Sequence, residues 1–127
     1  MKIGVPKEIK PQETRIGLTP DSVKDLVSNG HEVLVENKGG HEAGFENSHY
    51  TSAGAKIVDK AEDIFNDSEI IVKVKEPLLN EVKMIKENQI VFTYLHLAAA
   101  KDLTQGLINS KGVCIAYETV TDQNGRL

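Results

Sequence analysis

The run TYLHLAAA, residues 93–100, sets His96 directly behind the apolar segment IVFTY and ahead of three alanines that take up little volume beside its ring. Imidazole is the side chain best matched to giving and taking a proton at cellular pH, since its unperturbed pKa is ~6.5. A histidine hydrogen-bonded at a strand end is the more common arrangement, and position alone favours it. Lys75 closes IIVKVKEP before Pro77, and a period of two puts it on the same face as Lys73. An ammonium there can hold a carboxylate or polarise a carbonyl, although a solvated surface lysine is commoner on a lysine-rich chain. Lys73 stays open as the functional member of the pair, with Lys75 nearer the edge.

Arg15 is a more pointed signal, because the chain uses 13 lysines and only two arginines, the other being Arg126. Its planar fork suits bidentate binding of a carboxylate, and it sits in the long loop PKEIKPQETR behind the first apolar run. A salt bridge to Glu8 or Glu13 explains it equally well, and both roles can hold together. Glu118, in AYETV, is open as general base, hydrogen-bond orienter or plain surface acid. With Glu8 and Tyr94 it is a candidate for supporting Arg15, Lys75 and His96 from behind.

The elements that must position these residues follow from the pattern. Short β-rich runs, KIGV at 2–5, EVLVE at 32–36, KIV at 56–58, IIVKV at 70–74, IVFTY at 90–94 and VCIAY at 113–117, alternate with helical patterns. In TPDSVKDLVSNG, Thr19 is a natural N-cap, Pro20 suits the first turn, and Gly30 supplies a left-handed stop. Asp59 is expected to cap a helix over KAEDIFN, Asn80 one over EVKMIKE, and LTQGLIN precedes the last strand. Nearly continuous apolar strands imply a sheet covered by helices on both faces. The expected fold is α/β, a doubly wound, mostly parallel sheet of the Rossmann-like or flavodoxin-like kind. Ligands bind such sheets at the carboxyl ends of the strands, which is where His96, Lys75, Arg15 and Glu118 all fall.

Composition narrows the classes. The 127 residues suit one domain, with 39% hydrophobic and 27% charged residues as in an ordinary soluble globular chain. A net charge of -4 with scattered lysines argues against nucleic acid as a partner. The amino terminus lacks the apolar region of a signal peptide and no apolar run spans a bilayer, so a cytoplasmic location without membrane contact is expected. Cys114 is the only cysteine and reads as a small buried hydrophobe. His31, His41 and His49 lack metal-site spacing, so no metal is expected. The glycines of ENKGGHEAGF do not make G-x-G-x-x-G, and a flexible connection is the expected account of that stretch.

Taken together, GVPKEIKPQETRIGLTP, VKVKEP and TYLHLA resemble the amino-terminal region of L-alanine dehydrogenases, and the likeness spans nearly the whole chain. The first segment is also similar to the alpha subunit of proton-translocating nicotinamide nucleotide transhydrogenase; the lysine and histidine of the other two are what point to the dehydrogenases. The resemblance implies NAD-dependent, reversible oxidative deamination of L-alanine to pyruvate and ammonium. In it Arg15 would grip the substrate carboxylate, Lys75 would bind the carboxylate or the carbonyl oxygen, and His96 would be the acid/base. It also implies a homo-oligomer, hexameric in the family.

The chain departs from the family in two ways. Where NNENRV is usual, it has PQETRI. The family's nucleotide-binding domain is expected to lie beyond Leu127, so residues 1–127 read as the amino-terminal substrate-binding domain, with 119–127 beginning a linker. NAD would then be bound by a domain absent from this chain, which by itself is expected to lack turnover. The alternatives are a non-catalytic module that binds small carboxylates or pairs with another subunit, and a fragment of a transhydrogenase alpha subunit.

Overall fold

The computed structural model describes residues 1–126. Six strands form one all-parallel sheet: β1 (Lys2–Val5), β2 (Glu32–Glu36), β3 (Lys56–Val58), β4 (Ile70–Val72), β5 (Ile90–Thr93) and β6 (Val113–Ala116). Their spatial order is β3-β2-β1-β4-β5-β6, so the winding reverses between β1 and β4. The helices α1 (Pro20–Ser28), α2 (Asn47–Ser52), α3 (Ala61–Asp67), α4 (Leu79–Val82) and α5 (Lys101–Ser110) make the crossovers that parallel strands require. This is the doubly wound α/β architecture expected from the alternation of elements. None of these helices is long and apolar enough to cross a membrane.

Alternation along each strand feeds two cores. Val33 and Val35 point with Ile3, Val5 and Val72 into a cluster closed by Val23 of α1 and Tyr50 of α2. Leu34, Ile71 and Val91 point the other way, against Ile64 and Phe65 of α3, Val82 of α4, and Leu103 and Leu107 of α5. Gly4 faces α3 so closely that a Cβ would lie 2.3 Å from Ser68 Oγ and 2.7 Å from Ile64 Cγ2. A side chain there would push α3 off the sheet.

Several local expectations need correction. α3 begins after Lys60 rather than Asp59, whose carboxylate instead accepts a hydrogen bond from Asn37 at 3.0 Å. α4 is a single turn that starts at Leu79, before Asn80, and Glu81 caps it by accepting the Leu78 N–H at 2.8 Å. β4 stops at Val72, two residues short of the apolar run, because β1 has already ended and offers no ladder on that side. The stretch 37–46 is no loose connection. Backbone hydrogen bonds such as Phe45 N–H to the Gly40 carbonyl close it over a 3-10 turn at His41–Ala43, and Gly40 packs directly on the Tyr50 ring. Coverage of the sheet is also incomplete: β6 keeps Val113 and Ile115 exposed on the face that α1 and α2 cover elsewhere.

Candidate functional site

The carboxyl ends of the strands meet in a cleft of about 450 Å³. Arg15, Ile16, Gly17 and Thr19 come to it from the loop after β1, Ala43 and Phe45 from the loop after β2, and Lys73 and Val74 from the end of β4. Tyr94 and Tyr117 close it from the ends of β5 and β6. It therefore lies at the switch point between β1 and β4, where an open α/β sheet separates its loops and leaves space for a ligand.

Arg15 is exposed at the rim, and its Nε and Nη2 donate to the two carboxylate oxygens of Glu13 at 2.8 and 2.7 Å. Those bonds, against some desolvation and with smaller help from the charges of Arg15 and Lys75, hold the Glu13 carboxyl down at about 2. Glu13 thus lies within the field of both cations. Of the two salt bridges expected for Arg15, the structure contains the one to Glu13; the partner of Glu8 is Lys73. Lys75 is half-buried, and its ammonium makes no hydrogen bond or ion pair among the described residues.

His96 stands just beyond the cleft. Its ring stacks on Tyr94, with centroids 5.8 Å apart and planes inclined by 19°. With Glu118, Ala98 and Ala99 it lines a second, neighbouring hollow of about 540 Å³. The backbone of His96 is left-handed, at φ 48 and ψ 43, a conformation that costs a non-glycine residue about 1 kcal/mol. Glu118 secures it: one carboxylate oxygen accepts the N–H groups of His96 at 2.8 Å and Leu95 at 3.0 Å. The His96 bond, ahead of the opposing desolvation, keeps the Glu118 carboxyl below its usual range. Glu118 Oε2 is buried without a partner. Tyr94 links the two places, lining the cleft with Arg15 and stacking on His96.

The family model described as Alanine dehydrogenase/PNT, N-terminal domain matches residues 4–127. The chain belongs to this family. It is 53% identical over 127 residues to an alanine dehydrogenase of Staphylococcus epidermidis, covering 100% of this chain and 34% of the relative. The alanine dehydrogenase of Bacillus subtilis is 50% identical over 122 residues, covering 96% and 32%. A solved L-alanine dehydrogenase superposes with a TM-score of 0.94 at 50% identity, over 98% of this chain and 34% of that one. The transhydrogenase from Sinorhizobium meliloti gives a TM-score of 0.89 at 24% identity, over 95% and 36%, a likeness of fold alone. The chain spans about a third of the length of the curated relatives it matches.

This alanine dehydrogenase/PNT N-terminal domain has the strand order of a dinucleotide-binding fold, but its first turn is built differently from a glycine-rich one. Its first β–α connection carries a single glycine, Gly17, whose open side is filled by the Val72 carbonyl, and the Ser22 N–H at the start of α1 is taken by Thr19. No backbone cradle for a pyrophosphate is present there. Among the described residues no cluster of histidine, cysteine and carboxylates suits a metal ion. Burial raises the Cys114 thiol, which packs against the core as a small hydrophobe does.

Three polar groups of the site escaped sequence reasoning. Tyr117 lines the cleft and donates its hydroxyl to the Lys73 carbonyl at 3.0 Å; burial pushes that phenol up to about 12, so it stays protonated. Glu76 faces His96 Nδ1 at 3.4 Å and pairs with Lys10. Burial raises its carboxyl, but the bond from Lys10 and its other contacts outweigh that and leave it low. Glu81 is buried beneath the cleft against Lys73. Tyr117 and Glu76 do follow strand ends in sequence; nothing in the sequence marks Glu81 as turned inward.

Proposed function

We propose that this chain forms the substrate-binding part of an alanine dehydrogenase, which interconverts L-alanine with pyruvate and ammonium using NAD. The observation that carries the reading is the cleft at the switch point, with Arg15 at its rim and Tyr94 leading from it to His96; Lys75 lies outside the lining but near enough for its charge to reach Glu13. Arg15 and Lys75 are the cations on the solvent side that can meet a small monocarboxylate, since the Lys73 charge below them is taken up by Glu8 and Glu81. Glu13 occupies Nε and one N–H of Nη2, so the outer edge of the guanidinium keeps a pair of donors for a carboxylate. Lys75 serves as the second contact, to the carboxylate or to the carbonyl oxygen.

His96 is the proton carrier. Its Nδ1 edge faces Glu76, which leaves Nε2 for exchange with the substituents on the substrate's second carbon. The left-handed backbone gives the ring a fixed approach, with Glu118 resisting relaxation. NAD supplies the hydride acceptor in this activity, and residues other than these hold it. The reading carries with it a cytoplasmic homo-oligomeric enzyme.

Titrating pyruvate into the chain and following it by calorimetry or by amide resonances tests the assignment. Saturable binding is expected, weakened about tenfold or more by Arg15→Ala and by Lys75→Ala, as loss of a charge-assisted contact implies. The chain alone should not oxidise NADH in the presence of pyruvate and ammonium. Binding unaffected by both substitutions would remove the anion-holding role.

A further inference from the structure

Beyond β4 the segment Lys73–Lys75 runs with no strand on its β1 side, since β1 ends at Val5 and the chain turns at Pro6. Its backbone is nonetheless fully partnered. Lys73 N–H donates to the Phe92 carbonyl at 3.1 Å, and the Lys73 carbonyl accepts the Tyr117 hydroxyl at 3.0 Å. Val74 N–H donates to Glu8 Oε1 at 2.7 Å, and its carbonyl accepts Tyr94 N–H at 3.2 Å. Lys75 N–H faces Glu8 Oε2 at 3.4 Å, and its carbonyl accepts Thr93 Oγ1 at 2.8 Å. One carboxylate has taken the place of a missing strand edge, and the side chain of Lys75 is the polar group of the segment left free.

Glu8 is itself held from below. The Lys73 ammonium lies 3.3 Å from Glu8 Oε2 and 2.8 Å from Glu81 Oε1, with all three side chains at most 2% exposed. Desolvating one cation and two carboxylates is expensive, and apolar residues of like volume generally serve a core as well or better. Burial pushes the Glu8 carboxyl up, outweighing the opposing pull of Lys73 and the Val74 N–H. What the cluster supplies is direction. Two acceptor oxygens meet consecutive N–H groups, which an apolar core would leave unsatisfied.

We infer that Glu8, held by Lys73 and Glu81, is a positioning residue that sets the arm Lys73–Lys75 and so aims the Lys75 ammonium at the bound carboxylate. The inference rests on the reading of the cleft as a small-carboxylate site. It predicts that Glu8 and Lys75 act as one unit while Glu8 and Arg15 act independently.

The test is a double-mutant cycle on pyruvate affinity. Glu8→Gln keeps one acceptor but turns an amide N–H₂ toward Lys73 and the Lys75 N–H; alone it should weaken binding about tenfold. On a Lys75→Ala background it should cost less than about twofold, whereas with Arg15→Ala the losses should multiply. Equal losses with and without Lys75 would overturn the positioning role while leaving the cleft's function intact. A wild-type chain that binds no pyruvate overturns the carboxylate reading itself. If Glu8→Gln does not fold, amide hydrogen exchange of the wild-type chain decides: Val74 and Lys75 should exchange as slowly as Ile71, and exchange as fast as that of Thr14 overturns the inference.

Discussion

Arg15 gives part of its guanidinium to Glu13 and keeps the rest for the cleft, so the glutamate both orients the arginine and sets the local charge. The carboxyl is depressed from 4.5 to about 2, chiefly by its hydrogen bonds from Arg15. A folded-state value below the unfolded one means that this pair's contribution to stability is complete above the unfolded pKa of 4.5 and is lost as pH falls through about 2. Glu13→Gln should therefore flatten the loss of stability over that interval, read as urea midpoints across an acid series. An unchanged acid profile would mean that the pair contributes nothing to folding. His96 illustrates the opposite economy at the same scale, a strained backbone kept in place by two hydrogen bonds to Glu118 because of where it sends the ring.

The loop from β1 to α1 depends on close approach rather than on regular structure. Ile16 anchors it in the core, and Gly17 lies so near the end of β4 that a Cβ would stand 2.5 Å from the Val72 carbonyl oxygen. Both sides of that contact are main chain, so neither can rotate away. Gly17→Ala should lift the loop from β4, carry Arg15 with it and weaken pyruvate binding about as much as Arg15→Ala, at a stability cost of roughly 1–3 kcal/mol. Gly30→Ala is the control. Its φ of 83 makes alanine costly by about 1 kcal/mol, but nothing lies within 4 Å and the site is remote, so binding should not change. Calorimetry and denaturant unfolding on both variants separate loop placement from general weakening.

Across the whole molecule, the helices divide unevenly. α1 and α2 cover β1 to β3, α3 to α5 cover the opposite face, and on the first side β6 is left exposed while β5 is half-covered, Tyr117 packing on Phe92. Val113 at 47% and Ile115 at 39% exposure leave apolar side chains along the edge strand β6, a combination that favours association. The chain is expected to self-associate with rising concentration in sedimentation velocity. Ile115→Lys should suppress this with little loss of stability, since the side chain is already exposed. Association unaffected by that change would place the contact elsewhere.

Periodicity and punctuation suffice for the α/β class, because strands buried on both faces must be apolar throughout and parallel strands must be joined by helices. The strand-end rule points to the right end of the sheet but not to one pocket: Arg15 reaches the cleft from a long loop, His96 and Glu118 line the neighbouring hollow, and Lys75 lines neither. Cap residues are less legible: Asp59 finds a tertiary partner in Asn37 and no longer serves its local helix, and Asn80 falls inside α4, whose first turn Glu81 caps instead. Strand order, and with it the meeting of five strand ends in one cleft, arises only when the sheet assembles. The separation of Lys73 from Lys75 arises there too. Two lysines at a spacing of two look equivalent along the chain, but one is drawn beneath the sheet's end by Glu8 and Glu81 while the other is left with its charge unmatched, and that difference belongs to the three-dimensional field around them.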